Sequence, residues 1–116
     1  MRNQNTKVRC IKRKYKKCAE ICKAFGELQS AYADTLEQDE NIKEFQCNVP
    51  LDDIPLDGNY TTDFLITLAN GELRIRECVY RRFLAKPLTA KVLDASREYW
   101  LRRGVKDWGI VTDAEK

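Results

Sequence analysis

The chain has 116 residues, 43% of them hydrophobic and 34% charged, with a formal net charge of +3 and no histidine. That length allows one domain with a single core, and the lack of histidine excludes His-based acid/base catalysis, Cys-His nucleophile pairs and His-containing zinc sites within the chain. No apolar run approaches the roughly 20 residues that span a bilayer and no apolar signal segment opens the chain, so a cytoplasmic protein without membrane contact is expected.

Residues 1–26 carry nine Lys or Arg against one acid, Glu20. The first eight residues read as disordered. From Arg9 to about Ala24, Ile11, Tyr15, Cys18 (or Ala19) and Cys22 recur every three or four residues, which predicts a basic amphipathic helix and marks residues 1–25 as a basic N-terminal arm. A second helix is predicted from about Gly26 to Gln38, where Leu28, Ala31, Tyr32, Thr35 and Leu36 form one stripe. It opens the main domain, residues 26–116. Between Glu27 and Asp63 the charge reverses, with ten acids against one base, Lys43. A basic arm beside an acidic middle fits a protein that grips a polyanion with one part; a solvated arm is the alternative.

Ile42, Glu44, Phe45, Cys47 and Val49 predict a first strand near 43–49. "PLDDIPLDGN" is a loop, punctuated by two prolines and Asp57-Gly58. Tyr60–Leu68 and Glu72–Tyr80 are β-rich runs joined by Ala69-Asn70-Gly71, a hairpin signal. Pro87 suits the first turn of a third helix with Leu88, Val92, Leu93, Ser96, Tyr99 and Trp100 as its buried stripe, ended by Gly104. Trp108–Thr112 is a last short strand. The order α-α-β-β-β-α-β predicts an α/β domain: a mixed sheet of about four strands flanked by helices, its last strand arriving parallel through a crossover helix.

Within the second β-run, Glu77 falls on the face otherwise held by Leu73, Ile75 and Val79. If Gly71 takes the left-handed position of a three-residue loop, Leu68 pairs with Glu72 and Asp63 stands directly opposite Glu77; a two-residue turn would put them on opposite faces. Two carboxylates that close call for a positive charge between them, and a hard divalent cation, Mg²⁺ or Mn²⁺, would activate water and stabilise a scissile phosphodiester. The alternative is structural: Asp63 caps a strand start and Glu77 pairs with Arg74, Arg76 or Arg81.

The stretches "GELQSAYADTLEQDENIKEF", "YTTDFLITLANGELRIRECV" and "LTAKVLDASREYWLRRGVKDWGIVT" resemble the N-terminal catalytic domain of TnsA, the endonuclease subunit of heteromeric transposases. The similarity runs from about Gly26 to Thr112. It implies a restriction-endonuclease-like core, a metal-dependent DNA endonuclease acting in transposition or mobile-element excision, and other transposase subunits as partners; a homo-oligomer is also compatible. The family carries a helix glutamate, an aspartate at the "TDF" position, and a strand Glu or Gln followed two residues later by lysine. By this resemblance Asp63 and Glu77 are metal-binding and catalytic, and the backbone carbonyl of Cys78 is a further metal ligand. Gln29 takes the helix position as the third catalytic residue, its amide carbonyl able to ligate Mg²⁺, with Glu27 two residues earlier as the other residue that would complete the shell, and Val79 takes the lysine place. These two departures define an alternative, a catalytically degenerate DNA-binding or transposase-interacting subunit. Arg76, Arg81, Arg82 or Lys86 would supply positive charge in place of the lysine, though a guanidinium does not lose its proton and would only stabilise charge.

The run "KVRCIKRKYKK" offers phosphate contacts to DNA from Lys7, Arg9, Lys12, Arg13, Lys14, Lys16 and Lys17, extended by Arg81 and Arg82. The five cysteines, Cys10, Cys18, Cys22, Cys47 and Cys78, read as reduced thiols, those of the first helix packed as apolar groups. Tyr99, Trp100 and Trp108 read as core residues.

Overall fold

In the computed structural model the described residues are 10–113, together with the backbone of Arg2 and Asn3. In chain order they form β1 (Arg2–Asn3), β2 (Ile11–Arg13), β3 (Cys22–Ala24), α1 (Glu27–Gln38), β4 (Ile42–Pro50), β5 (Tyr60–Leu68), β6 (Leu73–Cys78), a 3-10 turn at Arg81–Phe83, α2 (Pro87–Arg102) and β7 (Asp107–Val111). Strand β5 pairs antiparallel with β4 and with β6, and β7 lies parallel to β6. A parallel neighbour cannot be reached by a tight turn, and α2 supplies the crossover. The result is the mixed α/β sheet that the element order predicts, with two helices.

The basic stretch before α1 is not helical. Ile11–Arg13 pairs antiparallel with Cys22–Ala24, and residues 14–21 connect them. Tertiary bonds override the local three-to-four periodicity: Glu37 accepts the main-chain N–H of Lys16 (2.7 Å) and Lys17 (3.1 Å), and Phe45 N–H donates to Lys17 O (2.9 Å). Tyr15, Cys18 and Cys22 thereby join the core of the main domain. Of the residues expected to be disordered, Arg2 and Asn3 pair with Thr61 and Tyr60; the others lie outside the described residues.

The hairpin docks on Asp34 and Glu37, and this turns α1 relative to the predicted stripe. Gln29, Ser30, Ala33 and Leu36 are buried, whereas Ala31 and Thr35 face outward. The inner face of α2 is Val92, Leu93, Ser96 and Trp100, as predicted, but Leu88 is exposed.

Two cores flank the sheet. One joins Ala33 and Leu36 of α1 to Phe45, Phe64 and Ile66, the other joins Val92 and Trp100 of α2 to Leu51, Tyr60 and Ile75. Along β4, Cys47 packs in the first core and Val49 in the second, although positions two apart on a regular strand share a face. Asn48 between them has φ 55°, a left-handed conformation that asparagine tolerates. The neighbouring strand changes sides at the same level: Phe64 packs with α1, while Thr62 accepts a hydrogen bond from Trp100 of α2. Asp63 sits at this crossing point.

Candidate functional site

The site is built by the hairpin between β5 and β6. Leu68 N–H donates to Glu72 O (2.8 Å), Gly71 N–H donates to Leu68 O (2.9 Å), and Gly71 has φ 90°, a value that a side chain would strain. The register Phe64↔Arg76, Leu65↔Ile75, Ile66↔Arg74 follows. The next step of that register sets Asp63 opposite Glu77, so the three-residue loop is the one the chain uses.

At that step the main-chain ladder gives way to side chains. Asp63 N–H donates to Glu77 Oε1 (2.8 Å), and Cys78 N–H donates to Asp63 Oδ2 (2.6 Å). Each carboxylate therefore holds the opposite strand where the two strands separate. Strand β4 occupies one edge of β5 from Thr61 to Leu68, so β1 takes the other edge, beyond the point where β6 leaves it.

Glu77 is 0% exposed and Asp63 3%. Glu77 Oε2 accepts from Thr62 Oγ1 (3.0 Å) and from Ser96 Oγ (2.5 Å); those hydroxyls in turn accept from the indole N–H groups of Trp100 (2.7 Å) and Trp108 (3.1 Å). Burial pushes the Glu77 carboxyl up from its ordinary pKa, and the Ser96 and Thr62 hydrogen bonds work in the opposite direction. The carboxylate on an apolar face is thus the centre of a polar network under α2. The predicted nuclease residues did not reveal this network. Ser96, a hydroxyl in the middle of a buried helical stripe, was the one signal of it in the sequence.

A cleft of about 480 Å³ opens beside Asp63, with Gln29, Cys78, Val79, Tyr80 and Arg82 among its walls. It brings together four of the positions that the sequence reading singled out: 29, 63, 78 and 79. Glu77 lies beneath, bonded to the Asp63 backbone. Burial pushes the Cys78 thiol up to about 12, so this side chain stays neutral and only its carbonyl offers a ligand. Val79 is buried and apolar. Gln29 Oε1 accepts Phe25 N–H (2.8 Å), and its Nε2 donates to Asn48 Oδ1 (2.9 Å). Asn48 Nδ2 continues the chain to Lys23 O (2.6 Å). Glu27, the alternative helix acid, is exposed on the first turn of α1.

Tyr80 closes one side. Its hydroxyl accepts Leu28 N–H at 3.4 Å and lies 3.2 Å from where a Cβ on Gly26 would stand; Gly26, with φ 107°, leaves room for it. The Arg82 guanidinium stacks over the rings of Tyr80 (5.1 Å) and Phe83 (4.8 Å), and Lys86 lies over Phe83 (4.8 Å). Arg82 is the arginine that reaches the cleft wall. Arg81 instead bonds Asp113 through its main-chain N–H (2.7 Å) and its Nε (2.9 Å, to the carbonyl). Arg74 and Arg76 pair with Asp107 at the start of β7 (2.9 and 2.8 Å).

The basic residues before α1 divide into two sets. Arg13 pairs with Asp34 (3.3 Å), and Lys17 Nζ donates to Asp39 O (2.6 Å), fastening the hairpin to α1. Lys12, Lys14 and Lys16 are exposed. Lys7 and Arg9 lie outside the described residues.

Fold and site together define a mixed α/β domain with a carboxylate-bearing cleft at one end of its sheet. Among the described residues, no helix is long and apolar enough to cross a membrane. In comparisons with known proteins, no family model matches the chain and no curated protein matches it.

Proposed function

We propose that the protein is a metal-dependent DNA endonuclease of the TnsA-like class, built on a restriction-endonuclease-like core and acting with other transposase subunits at mobile-element ends. One observation carries this reading: Asp63 on the cleft wall and the buried Glu77 beneath it interlock where β5 and β6 part, each bonded to the other's strand. Both carboxylates are buried, burial raises that of Glu77, and a bound cation would favour their charged forms. Their donor set, two carboxylates and the Cys78 carbonyl, is all oxygen and fits a hard cation such as Mg²⁺ or Mn²⁺. Among the described residues no group of three or more His, Cys, Asp or Glu is arranged around a metal position; this site would instead use two acids with backbone and amide carbonyls.

A bound Mg²⁺ or Mn²⁺ would supply Lewis-acid stabilisation of the phosphate and an acidified water. Asp63 and Glu77 would hold that charge in place, and Gln29, accepting Phe25 N–H, orders the start of α1 beside it. Arg82 stands at the cleft wall, where a fixed positive charge stabilises a developing phosphate charge without acting as a base. Lys12, Lys14 and Lys16 contact the DNA backbone.

A second reading, a catalytically degenerate DNA-binding or transposase-interacting subunit, is favoured by two observations. Val79 is apolar at the lysine place, and both ends of the Gln29 amide are already engaged by Phe25 and Asn48. Nicking of supercoiled plasmid with Mn²⁺ separates the two. The endonuclease reading expects nicking that falls at least about 100-fold in Asp63→Ala. Cleavage unaffected by that substitution would remove the assignment. No cleavage by the wild type, together with salt-dependent DNA binding indifferent to Mn²⁺, selects the degenerate subunit.

A further inference from the structure

Three cysteines from separate segments meet on the α1 side of the sheet: Cys18 from the β2–β3 connection, Cys22 from β3 and Cys47 from β4, all in or against one core cluster. The predicted helix would have put Cys18 and Cys22 on one face and left Cys47 unrelated to them; the hairpin brings in the third. The Cys22 and Cys47 thiols hydrogen-bond to each other, and that bond draws the Cys22 thiol below its ordinary pKa while raising Cys47. Cys22 thus gives up its proton more readily than an ordinary cysteine, a direction that favours disulfide exchange. Beside them the backbones are fastened together by Asn48 Nδ2 donating to Lys23 O at 2.6 Å, the residues that directly follow Cys47 and Cys22. Access differs between the two: Cys22 is 1% exposed, whereas Cys47 is half-buried and lines a cavity of about 390 Å³ between residues 18–21 and 44–50.

We propose that Cys22 and Cys47 are a redox modification site, closing into a disulfide that ties β3 to β4 when glutathione disulfide enters the cavity at Cys47. In the first step the Cys47 proton passes to the neighbouring Cys22 sulfur and the Cys47 thiolate attacks glutathione disulfide; the glutathione S–S bond breaks and one glutathione leaves as a thiolate. That glutathione takes the proton from Cys22, and the Cys22 thiolate then attacks the Cys47 sulfur of the mixed disulfide. The protein S–S bond forms, and the second glutathione leaves as a thiolate and is protonated from solvent. Two protein thiols are oxidised and one glutathione disulfide is reduced to two glutathiones. Cys22 and Cys47 pack in one core cluster, and the Asn48–Lys23 bond holds their two backbones together one residue away, the close approach that a disulfide requires. Cys18 is the third thiol of the trio, and the test must tell it from Cys22. This inference is independent of any nuclease activity.

The test incubates the full chain in glutathione buffers of rising oxidised fraction, quenches with acid, counts thiols under denaturing conditions and maps linked peptides. Trypsin with a glutamate-specific protease cuts after Glu20 and so separates Cys18 from Cys22. The five thiols are expected to fall by two, with one linked peptide joining Cys22 to Cys47, and dithiothreitol is expected to restore them. The loss should persist in Cys10→Ser and vanish in Cys47→Ser and Cys47→Ala. A full thiol count at saturating glutathione disulfide, a link through Cys18, or a loss that survives Cys47→Ser would overturn the proposal. Should both Cys47 variants fail to fold by circular dichroism, the wild-type peptide map decides alone.

Discussion

The main-chain N–H of Asp63 donates to the carboxylate of Glu77, and the Asp63 carboxylate answers by accepting the N–H of Cys78, the residue next to Glu77. Side chains so take over the role of main-chain pairing where β5 and β6 part. The acids consequently serve stability and chemistry at once, and substitutions must be read with both in mind.

Glu77→Gln keeps the shape and removes the charge. The Thr62 and Ser96 hydroxyls already accept from indoles and then face an amide donor, so about 1–3 kcal/mol of stability should be lost in urea denaturation. The loss should depend on pH. Burial raises the Glu77 carboxyl in the folded protein, so the folded state binds a proton more readily than the unfolded one. Wild-type stability from this group is present at low pH and declines as pH rises from the ordinary glutamate value through the raised one. The Gln variant has no such decline, and the gap between the two proteins should narrow with rising pH.

Trp100→Phe keeps most of the ring and deletes the N–H that Thr62 accepts. A loss of about 1 kcal/mol is expected, with the rest of the network intact. Chemical denaturation of this variant alone and combined with Glu77→Gln should show a coupling above about 0.5 kcal/mol, because both act through Thr62.

Asn48 combines a left-handed backbone with two side-chain hydrogen bonds. Asn48→Ala should cost about 2–4 kcal/mol, from the lost bonds and the backbone strain together. Asn48→Gly should recover about 1 kcal/mol of that by relieving the strain alone. Equal loss in both variants, measured by thermal unfolding, would show that the backbone contributes nothing.

Asp107 lies between Arg74 and Arg76. Partial burial raises its pKa, and the two guanidinium hydrogen bonds overcome that effect, leaving it below the ordinary aspartate value. Its contribution is present above the unfolded-state value and fades as pH falls through the lower folded one. The side chain is 43% exposed, so solvent screening holds Asp107→Asn to under about 1 kcal/mol. Carboxyl NMR titration should find the depressed value and show it rising in Arg74→Ala.

If the exposed lysines grip DNA, Lys12→Ala, Lys14→Ala and Lys16→Ala should each flatten the slope of log affinity against log salt by about 0.9. Arg13→Ala would also release the Asp34 contact and lower stability. Slopes unchanged in all three lysine variants would place the DNA contact elsewhere.

The main domain was legible because its cues are local. Ala69-Asn70-Gly71 encodes the hairpin and hence the 63/77 register, while Pro87 and Gly104 bracket α2. The stretch before α1 misled because Ile11, Tyr15, Cys18 and Cys22 mimic a helical period. Their real partners, Glu37, Asp34 and Phe45, are distant in sequence and outweigh that local pattern. The crossing of the two faces at Asn48 was equally hidden, since a single left-handed residue leaves no periodic trace. Of the site, positions 29, 63, 78 and 79 line one cleft while Glu77 lies outside its walls, and the hydroxyl and indole partners of Glu77 emerged only from the fold.

Both tryptophans of the chain stand one hydroxyl away from the Glu77 carboxylate, Trp100 through Thr62 and Trp108 through Ser96. Intrinsic fluorescence is therefore a label-free optical probe of that one group. Protonating, replacing or ligating it alters the electric field at two indoles, and the emission spectrum records the change without any dye attached.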